Sequence, residues 1–238
     1  MQASYWKRAG RWGSPKRWPA SIFGRSAKRS FSLPVATNVG VLALQGDVAE
    51  HSAALRRAGA LPVAVKSLTD LARVDALVIP GGESTTVMKL LERASLDRAI
   101  IDRVRRGMPV WGTCMGMIVA ARHVADLNQA TLGLIDITVR RNAFGRQNES
   151  AEIDLHVDAL GEPAFPGIFI RAPWIERCGP RVELLAKRDG HGVMVREENV
   201  LATSFHPELT RDARVHQYFL AMVCGQDGGR QGKSSTAA

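Results

Sequence analysis

The sequence predicts a single three-layer α/β domain with an open, mixed, mostly parallel sheet and helices on both of its faces. The first observation is the alternation of apolar, strand-like runs with helical patterns from Asn38 onward. The second is that the early runs are continuous in Val, Ile and Leu, which is typical of parallel strands covered by helices on both sides. The third is a change after about residue 132 to shorter, alternating segments, which favours mixed or antiparallel pairing there.

Periodicity and end signals assign each element in turn. In the first part of the chain we expect strands at Val39–Leu44, Pro62–Val65, Ala76–Ile79 and Pro109–Trp111, and helices at Asp47–Ala58, Thr85–Arg93, Leu96–Arg106 and Cys114–His123. In the second part we expect strands at Ile135–Arg140, Ile153–Val157, Ile168–Arg171, Val182–Ala186, Val193–Arg196 and Val200–Ser204. A last helix, Asp212–Cys224, is predicted to end at Gly225. Residues 38–224 are therefore interpreted as one domain, and 225–238 as a flexible, polar tail.

Composition excludes several classes of protein. The chain has 238 residues, of which 45% are hydrophobic and 23% charged, so it is expected to fold rather than to stay disordered. No apolar run approaches the roughly 20 residues of a membrane-spanning helix, and we expect no membrane partner. The three cysteines, Cys114, Cys178 and Cys224, are odd in number and lack a short repeated spacing, which favours a reducing, cytoplasmic location. They also fit no four-ligand zinc site, and neither a metal nor a cofactor is expected.

The net charge of +9 belongs to one end of the chain. Residues 1–37 hold eight Lys and Arg and no acidic residue, whereas the other 201 residues carry 24 basic and 23 acidic side chains. The segment 1–37 is interpreted as a disordered basic extension, or as residues upstream of a later start near Val35; a targeting segment and a nucleic-acid contact are the alternatives. Because the body is nearly neutral, nucleic acid is not expected as its partner.

Cys114 lies where a strand runs directly into an apolar helix. Gly112 and Gly116 flank it, and a nucleophile on such a tight turn needs small neighbours because the backbone passes close to other chain segments. The turn also places the sulfur at a helix N-terminus, which favours the thiolate. A nucleophilic cysteine is therefore the hypothesis, and an inert cysteine in the core is the alternative.

His206 and Glu208 follow the predicted strand Val200–Ser204. In extended chain, residues two apart point to the same side, so Glu208 could accept the second imidazole N–H while His206 takes a proton from a thiol. The other histidines are interpreted as structural or solvated: His51, His123, His156, His191 and His216.

Gly81, Gly82 and Glu83 end another predicted parallel strand and open a helix. Paired glycines let backbone N–H groups turn towards a ligand, which suits an oxyanion hole. Loops at the carboxyl ends of parallel strands converge on one crevice. We therefore expect Gly82, Cys114 and His206 to meet.

Six runs in this order resemble the class I, or triad, glutamine amidotransferases, and within them the glutaminase subunits of pyridoxal 5′-phosphate synthase. The resemblance covers about residues 38–224. The runs are Val39-Gly-Val-Leu-Ala-Leu-Gln-Gly-Asp, Pro80-Gly-Gly-Glu-Ser-Thr-Thr, Gly112-Thr-Cys-Met-Gly-Met, Arg140-Arg-Asn-Ala-Phe-Gly-Arg-Gln, Phe169-Ile-Arg-Ala-Pro and Ser204-Phe-His-Pro-Glu-Leu-Thr.

The resemblance implies hydrolysis of L-glutamine to L-glutamate and ammonia through a thioester. It implies that Cys114 is the nucleophile, His206 the base and Glu208 the group that orients His206. It further implies an oxyanion hole and a set of substrate contacts. The oxyanion would be held by backbone N–H groups of Gly82 and Met115, and the substrate by Gly81, Gly82, Glu83, Arg141, Ile170 and Arg171.

The resemblance also implies a partner, a (β/α)8-barrel synthase subunit that receives the ammonia within a large hetero-oligomer. Gln45 would lie in the loop through which docking activates the glutaminase. Met115 departs from the family pattern, in which a small residue is expected. Three alternatives stay open: an amidotransferase that serves another synthase, a catalytically silent binding subunit, and a nucleic-acid-binding protein whose contacts lie in residues 1–37.

Overall fold

Twelve strands and six helices form the part of the chain that the computed structural model describes, which is residues 37–125, 127–142 and 150–230. The strands are β1 (Asn38–Leu42), β2 (Leu61–Val65), β3 (Ala76–Ile79), β4 (Val110–Thr113), β5 (Ala121–Val124), β6 (Ile135–Arg140), β7 (Ser150–Leu155), β8 (Phe165–Ile170), β9 (Trp174–Cys178), β10 (Glu183–Arg188), β11 (His191–Glu197) and β12 (Val200–Thr203). The helices are α1 (Val48–Arg57), α2 (Leu68–Ala72), α3 (Ser84–Arg93), α4 (Leu96–Arg105), α5 (Met115–Ala120) and α6 (Arg214–Arg230). The predictions for residues 1–36 and 231–238 lie outside the described residues.

One large mixed sheet organises the domain. Its strands follow the order β2-β1-β3-β4-β12-β11-β9-β6-β5, and β10 pairs with β11 beside this path. The half from β2 to β12 is parallel throughout, whereas β11 pairs antiparallel with β12, β10 and β9. Strands β7 and β8 form a separate antiparallel pair. The predicted open, mixed and mostly parallel sheet is confirmed.

Helices cover both faces of the sheet, because the parallel strands are apolar on both sides. In β3, Leu77 and Ile79 pack into one core cluster with α3, α4 and α5, while Ala76 and Val78 pack into a second cluster with α1 and α6. All four of these residues are fully buried. The three-layer arrangement is therefore a direct result of the continuous apolar runs.

Several element boundaries differ from the prediction. The helix predicted at Cys114–His123 ends at Ala120, and the chain continues as β5, which pairs parallel with β6. In β5 the two end residues are buried and the middle two are exposed, so no period-2 signal marks it. The last helix continues to Arg230, past the predicted end at Gly225, since glycine lowers helix propensity without forbidding a helix.

Besides β5, two elements were missed. Helix α2 is only five residues long, too short for a visible 3.6-residue period, but a capping box between Ser67 and Asp70 starts it. Strand β9 follows Pro173 and buries only Ile175 fully, so it lacks a regular alternation. Among the described residues, no helix combines the length and apolar character needed to cross a membrane.

The neighbouring strands β3, β4 and β12 position the site. They are parallel, so their carboxyl ends share one edge of the sheet. Gly81 follows β3, Cys114 follows β4 and His206 follows β12. The topology therefore brings together three loops that are far apart in sequence, as the sequence predicts.

Candidate active site

Cys114 occupies a sharp turn between β4 and α5. Its backbone lies at φ 50° and ψ −107°, which a residue with a side chain rarely adopts. The turn is possible because of its glycine neighbours. A Cβ on Gly112 would lie 2.4 Å from the carbonyl oxygen of Gly116, and a Cβ on Gly116 would lie 1.9 Å from that of Ile79. The sulfur of Cys114 lies 3.8 Å from the Ile170 carbonyl oxygen.

His206 links the thiol to a buried carboxylate. Its Nδ1 lies 2.7 Å from Oε1 of Glu208. Its imidazole lies beside the Cys114 thiol, which helps to raise the pKa of His206. The local conformation differs from the prediction, because Pro207–Leu209 forms a 3-10 turn rather than extended chain. The turn still directs both side chains to the same place. Cys114, His206 and Glu208 thus form a continuous chain of polar groups.

Asp47 is a second carboxylate at the same imidazole. It immediately precedes α1, and its Oδ2 lies 3.4 Å from His206 Nδ1. Gly81 makes this approach possible, since a Cβ there would lie 2.7 Å from His206 Cε1 and 2.9 Å from Asp47 Oδ2. His206 Nδ1 is therefore shared between Asp47 and Glu208.

These groups shift one another's pKa values. Burial alone would lower the pKa of His206, but the bonds to Asp47, Cys114 and Glu208 outweigh burial and hold that pKa above its ordinary value. The hydrogen bond to His206 lowers the pKa of Asp47. Burial raises the pKa of Glu208, although His206 opposes this. The site therefore stabilises an imidazolium beside the sulfur, which favours transfer of the thiol proton to His206.

Replacing Asp47 by asparagine is expected to lower the pKa of His206 by roughly one pH unit, because a negative charge that stabilises the imidazolium is lost. The titration of the His206 imidazole, followed by NMR of ¹³C-labelled histidine, should move to lower pH. Glu50→Gln is the matched control, since it removes the same charge from an exposed position of α1. An unchanged titration in Asp47→Asn would show that Asp47 does not stabilise the imidazolium.

An open pocket of about 420 Å³ lies in front of the sulfur. Its size is within the range of small-molecule sites. It brings together most of the residues predicted for the site, and it adds neighbours that were not predicted. The predicted ones are Gln45, Gly82, Glu83, Cys114, Met115, Arg141, Ile170, Arg171 and His206; the added ones are Asp47, Ser84, Ile118, Asn142 and Pro173.

Two predicted residues stand behind this pocket rather than on its wall. Gly81 packs against His206 and Asp47, so it contacts the site from the side. Glu208 is only 4% exposed and lies behind His206. The part of the predicted arginine-rich motif at 143–149 lies outside the described residues.

Glu83 and Arg141 place opposite charges on the pocket wall. Arg141 Nη2 lies 3.4 Å from Glu83 Oε1, and Arg141 Nη1 donates to Gln129 Oε1 at 3.1 Å. Glu83 accepts hydrogen bonds from the Thr85 hydroxyl and from the first backbone N–H groups of α3, which lower its pKa to about 2. The pocket therefore presents a fixed anion and a cation side by side.

The loop at Gln45 contacts the glycine pair. Gln45 Oε1 accepts a hydrogen bond from the backbone N–H of Glu83 at 3.4 Å. Gly46, at φ +101°, passes so close to Gly81 that a Cβ there would lie 1.6 Å from the Gly81 carbonyl oxygen. A movement of the Gln45 loop would therefore displace Gly81 and Gly82.

Within the described ranges, one group of three side chains could hold a metal ion: Asp47, His206 and Glu208, whose donor atoms lie within 4.8 Å of one another. An ion there would have to take His206 Nδ1 from Glu208, to which it is bonded at 2.7 Å. The arrangement fits a proton-transfer chain better than a metal centre.

Asp47 lies at the site although it was not predicted there, and His51, interpreted as structural or solvated, is fully buried next to Glu208. His51 Nε2 is 3.3 Å from Glu208 Oε2. A usable signal was present, because residues four apart share one face of a helix, and Asp47 and His51 have this spacing at the start of α1.

Comparisons with known proteins identify the family. The model of the SNO glutamine amidotransferase family matches residues 41–225. The pyridoxal 5′-phosphate synthase subunit PdxT of Streptomyces griseus is 55% identical over 187 residues, which are 78% of this chain and 95% of that protein. The subunit of the same name from Thermotoga petrophila is 48% identical over 185 residues, which are 78% of this chain and 98% of that one.

A solved structure leads to the same family. The crystal structure of a glutamine amidotransferase is 47% identical and superposes with a TM-score of 0.75, covering 78% of this chain and 98% of that one. The matched part spans the β3, β4 and β12 loops that build the pocket. The chain belongs to the SNO glutamine amidotransferase family.

Proposed function

We propose that this chain is the glutaminase subunit of pyridoxal 5′-phosphate synthase. It hydrolyses L-glutamine to L-glutamate and ammonia and supplies the ammonia to a synthase subunit. The observation that carries the proposal is the series of neighbouring side chains Cys114, His206 and the buried Glu208. This series ends at a pocket beside the glycine pair Gly81 and Gly82. The names of the relatives supply the pathway.

The first half of the reaction forms a thioester. Cys114 gives its proton to His206, and the sulfur attacks the side-chain amide carbon of glutamine. Met115 begins α5, so its backbone N–H has no acceptor within the helix and, together with Gly82, can hold the oxyanion. When the C–N bond breaks, His206 returns the proton to the leaving ammonia.

The second half of the reaction releases glutamate. A water molecule gives a proton to the neutral His206 and attacks the thioester carbon. The C–S bond breaks, glutamate leaves, and the proton returns to the sulfur. Throughout, Glu208 holds the imidazole through Nδ1, which keeps Nε2 for the thiol and the water.

The charges on the pocket wall suit the other end of glutamine. Arg141 can pair with the substrate α-carboxylate, and Glu83 can pair with its α-ammonium group. Substrate would then replace part of the contact between these two side chains. Ile170 and Arg171 also line the pocket and can contact the methylene chain of the substrate.

The partner in this proposal is a (β/α)8-barrel synthase subunit, and the two form a large hetero-oligomer in the cytoplasm. Gln45 is the docking residue. Because Gln45 and Gly46 contact the Gly81–Glu83 loop directly, docking would select the backbone state in which the Gly82 N–H faces the oxyanion.

The test is glutamine hydrolysis by the full chain, and by a version that starts at Val35, each with and without the synthase. We expect little hydrolysis by the chain alone, at least tenfold more with the synthase, and transfer of the glutamine amide nitrogen into pyridoxal 5′-phosphate. Equal hydrolysis with and without the synthase would contradict activation by docking. Absence of hydrolysis in every mixture would contradict the glutaminase itself. A histidine-pathway cyclase serves as the control partner and should receive no nitrogen.

A further inference from the structure

His51 is a fully buried titratable side chain that the reaction described above does not use. It lies on α1, one turn after Asp47, and is 0% exposed. Its Nε2 lies 3.0 Å from the Thr113 hydroxyl and 3.3 Å from Glu208 Oε2. Thr113 directly precedes Cys114. His51 therefore lies between the turn that carries the thiol and the carboxylate that holds His206.

Glu208 needs a donor at its second oxygen. Its side chain is 0% exposed, and while Oε1 is bonded to His206, Oε2 makes no hydrogen bond of good geometry within the described residues. A buried carboxylate oxygen without a donor is costly. His51 Nε2 is the group that approaches this oxygen, at 3.3 Å.

The protonation of His51 follows from its surroundings. Burial, together with the nearby His216 and His206, lowers the pKa of His51 well below its usual value, so the imidazole is neutral and carries one N–H. A bare Nε2 would direct its lone pair at a carboxylate oxygen. The proton therefore lies on Nε2, where it faces both Glu208 Oε2 and the Thr113 hydroxyl.

We infer that His51 is a positioning residue for the glutaminase reaction, in that its Nε2–H holds the Glu208 carboxylate in the orientation that binds His206. The inference rests on the proposed function for its effect on turnover. It extends the chain of polar groups from the thiol inward to a fourth member: Cys114, His206, Glu208 and His51.

The charged and titratable groups around this chain set the direction of the pH effect. Asp47 and Glu208 face His206, while His216 from α6 lies 5.6 Å from His51 between ring centroids. Loss of the His51 donor leaves Glu208 less able to stabilise the His206 imidazolium. The His206 imidazolium should then lose its proton at lower pH than in the unsubstituted chain.

The test compares His51→Leu, which keeps volume but removes the donor, with His51→Gln, whose amide N–H can replace Nε2–H. With the synthase present, we expect His51→Leu to lower kcat by roughly tenfold or more at nearly constant KM. The rate of Cys114 alkylation by the anion iodoacetate falls at alkaline pH when the imidazolium that attracts this reagent loses its charge, and this alkaline limb should move to lower pH. His51→Gln should recover most of kcat and the original profile.

His216→Leu is the matched control. His216 is also 0% exposed and packs against Trp111, but it does not approach Glu208 closely enough to pair with it among the described contacts. It should leave kcat and the alkylation profile unchanged. If His216→Leu lowers kcat equally, or if His51→Leu keeps its kcat within twofold, the inference is wrong. Alkylation needs no glutamine, so it tests His51 even if the unsubstituted chain fails to hydrolyse glutamine.

Discussion

Cys114→Ala is expected to lower glutamine hydrolysis by about 10³-fold or more, because the variant lacks the atom that attacks the amide carbon. The fold should be kept, since alanine fits within the space that the cysteine occupies and the backbone of the turn is held by its neighbours. Release of glutamate in the presence of the synthase, together with circular dichroism and binding to the synthase, checks this result. Retained binding with lost hydrolysis would also exclude a catalytically silent binding subunit.

Cys178→Ala is the matched control for this experiment. Cys178 ends β9, and burial together with Asp136 raises the pKa of its thiol to about 11, so it stays protonated near neutral pH. Its removal should leave hydrolysis within about twofold of the unsubstituted chain. Substantial hydrolysis by Cys114→Ala would show that another group attacks glutamine, and the proposed thioester would then be wrong.

The fold could be predicted to a large extent because burial on both faces of a sheet leaves a strong mark in sequence. The runs at Ala76–Ile79 and Ile135–Arg140 have the predicted bounds, and β3 is apolar at every position. Elements without such a mark were missed. Helix α2 is too short to show a 3.6-residue period of apolar residues. In β5 and β9 the buried residues do not alternate with exposed ones, so neither strand has a period-2 pattern.

The residues of the candidate site could be predicted where the neighbouring sequence alone explains why that residue type stands at that position. Gly112 and Gly116 mark the sharp turn, and the spacing of His206 and Glu208 marks a shared direction. Asp47 and His51 offer only a weaker local signal, since their spacing of four residues marks a shared face of α1. Their roles depend on the packing of α1 against the 3-10 turn after β12, about 160 residues later in the chain, which spacing within α1 cannot reveal.

Gly116→Ala is expected to destabilise the protein by about 3 kcal/mol or more, although alanine is the better helix former by about 1 kcal/mol. A Cβ at this position of α5 would lie 1.9 Å from the carbonyl oxygen of Ile79 and 2.9 Å from its carbonyl carbon. Both atoms belong to the backbone of β3, so no side-chain rotation can relieve the overlap. All six residues of α5 are buried, so the helix cannot shift away from β3 without overlapping other neighbours.

Urea unfolding of the two proteins measures the free-energy difference, and the alkylation rate of Cys114 reports whether the turn keeps its geometry. Gly225→Ala is the matched control, because Gly225 lies within α6 and a Cβ there meets nothing within 4 Å. That variant should be equally stable or more stable by about 0.5–1 kcal/mol. The two substitutions are chemically identical and both fall in helices, so opposite signs would show that contact with β3 outweighs helix propensity at Gly116. If Gly116→Ala were more stable than the unsubstituted protein, α5 and β3 could move apart without cost. Tight packing between them would then not be needed to hold the strained backbone of Cys114.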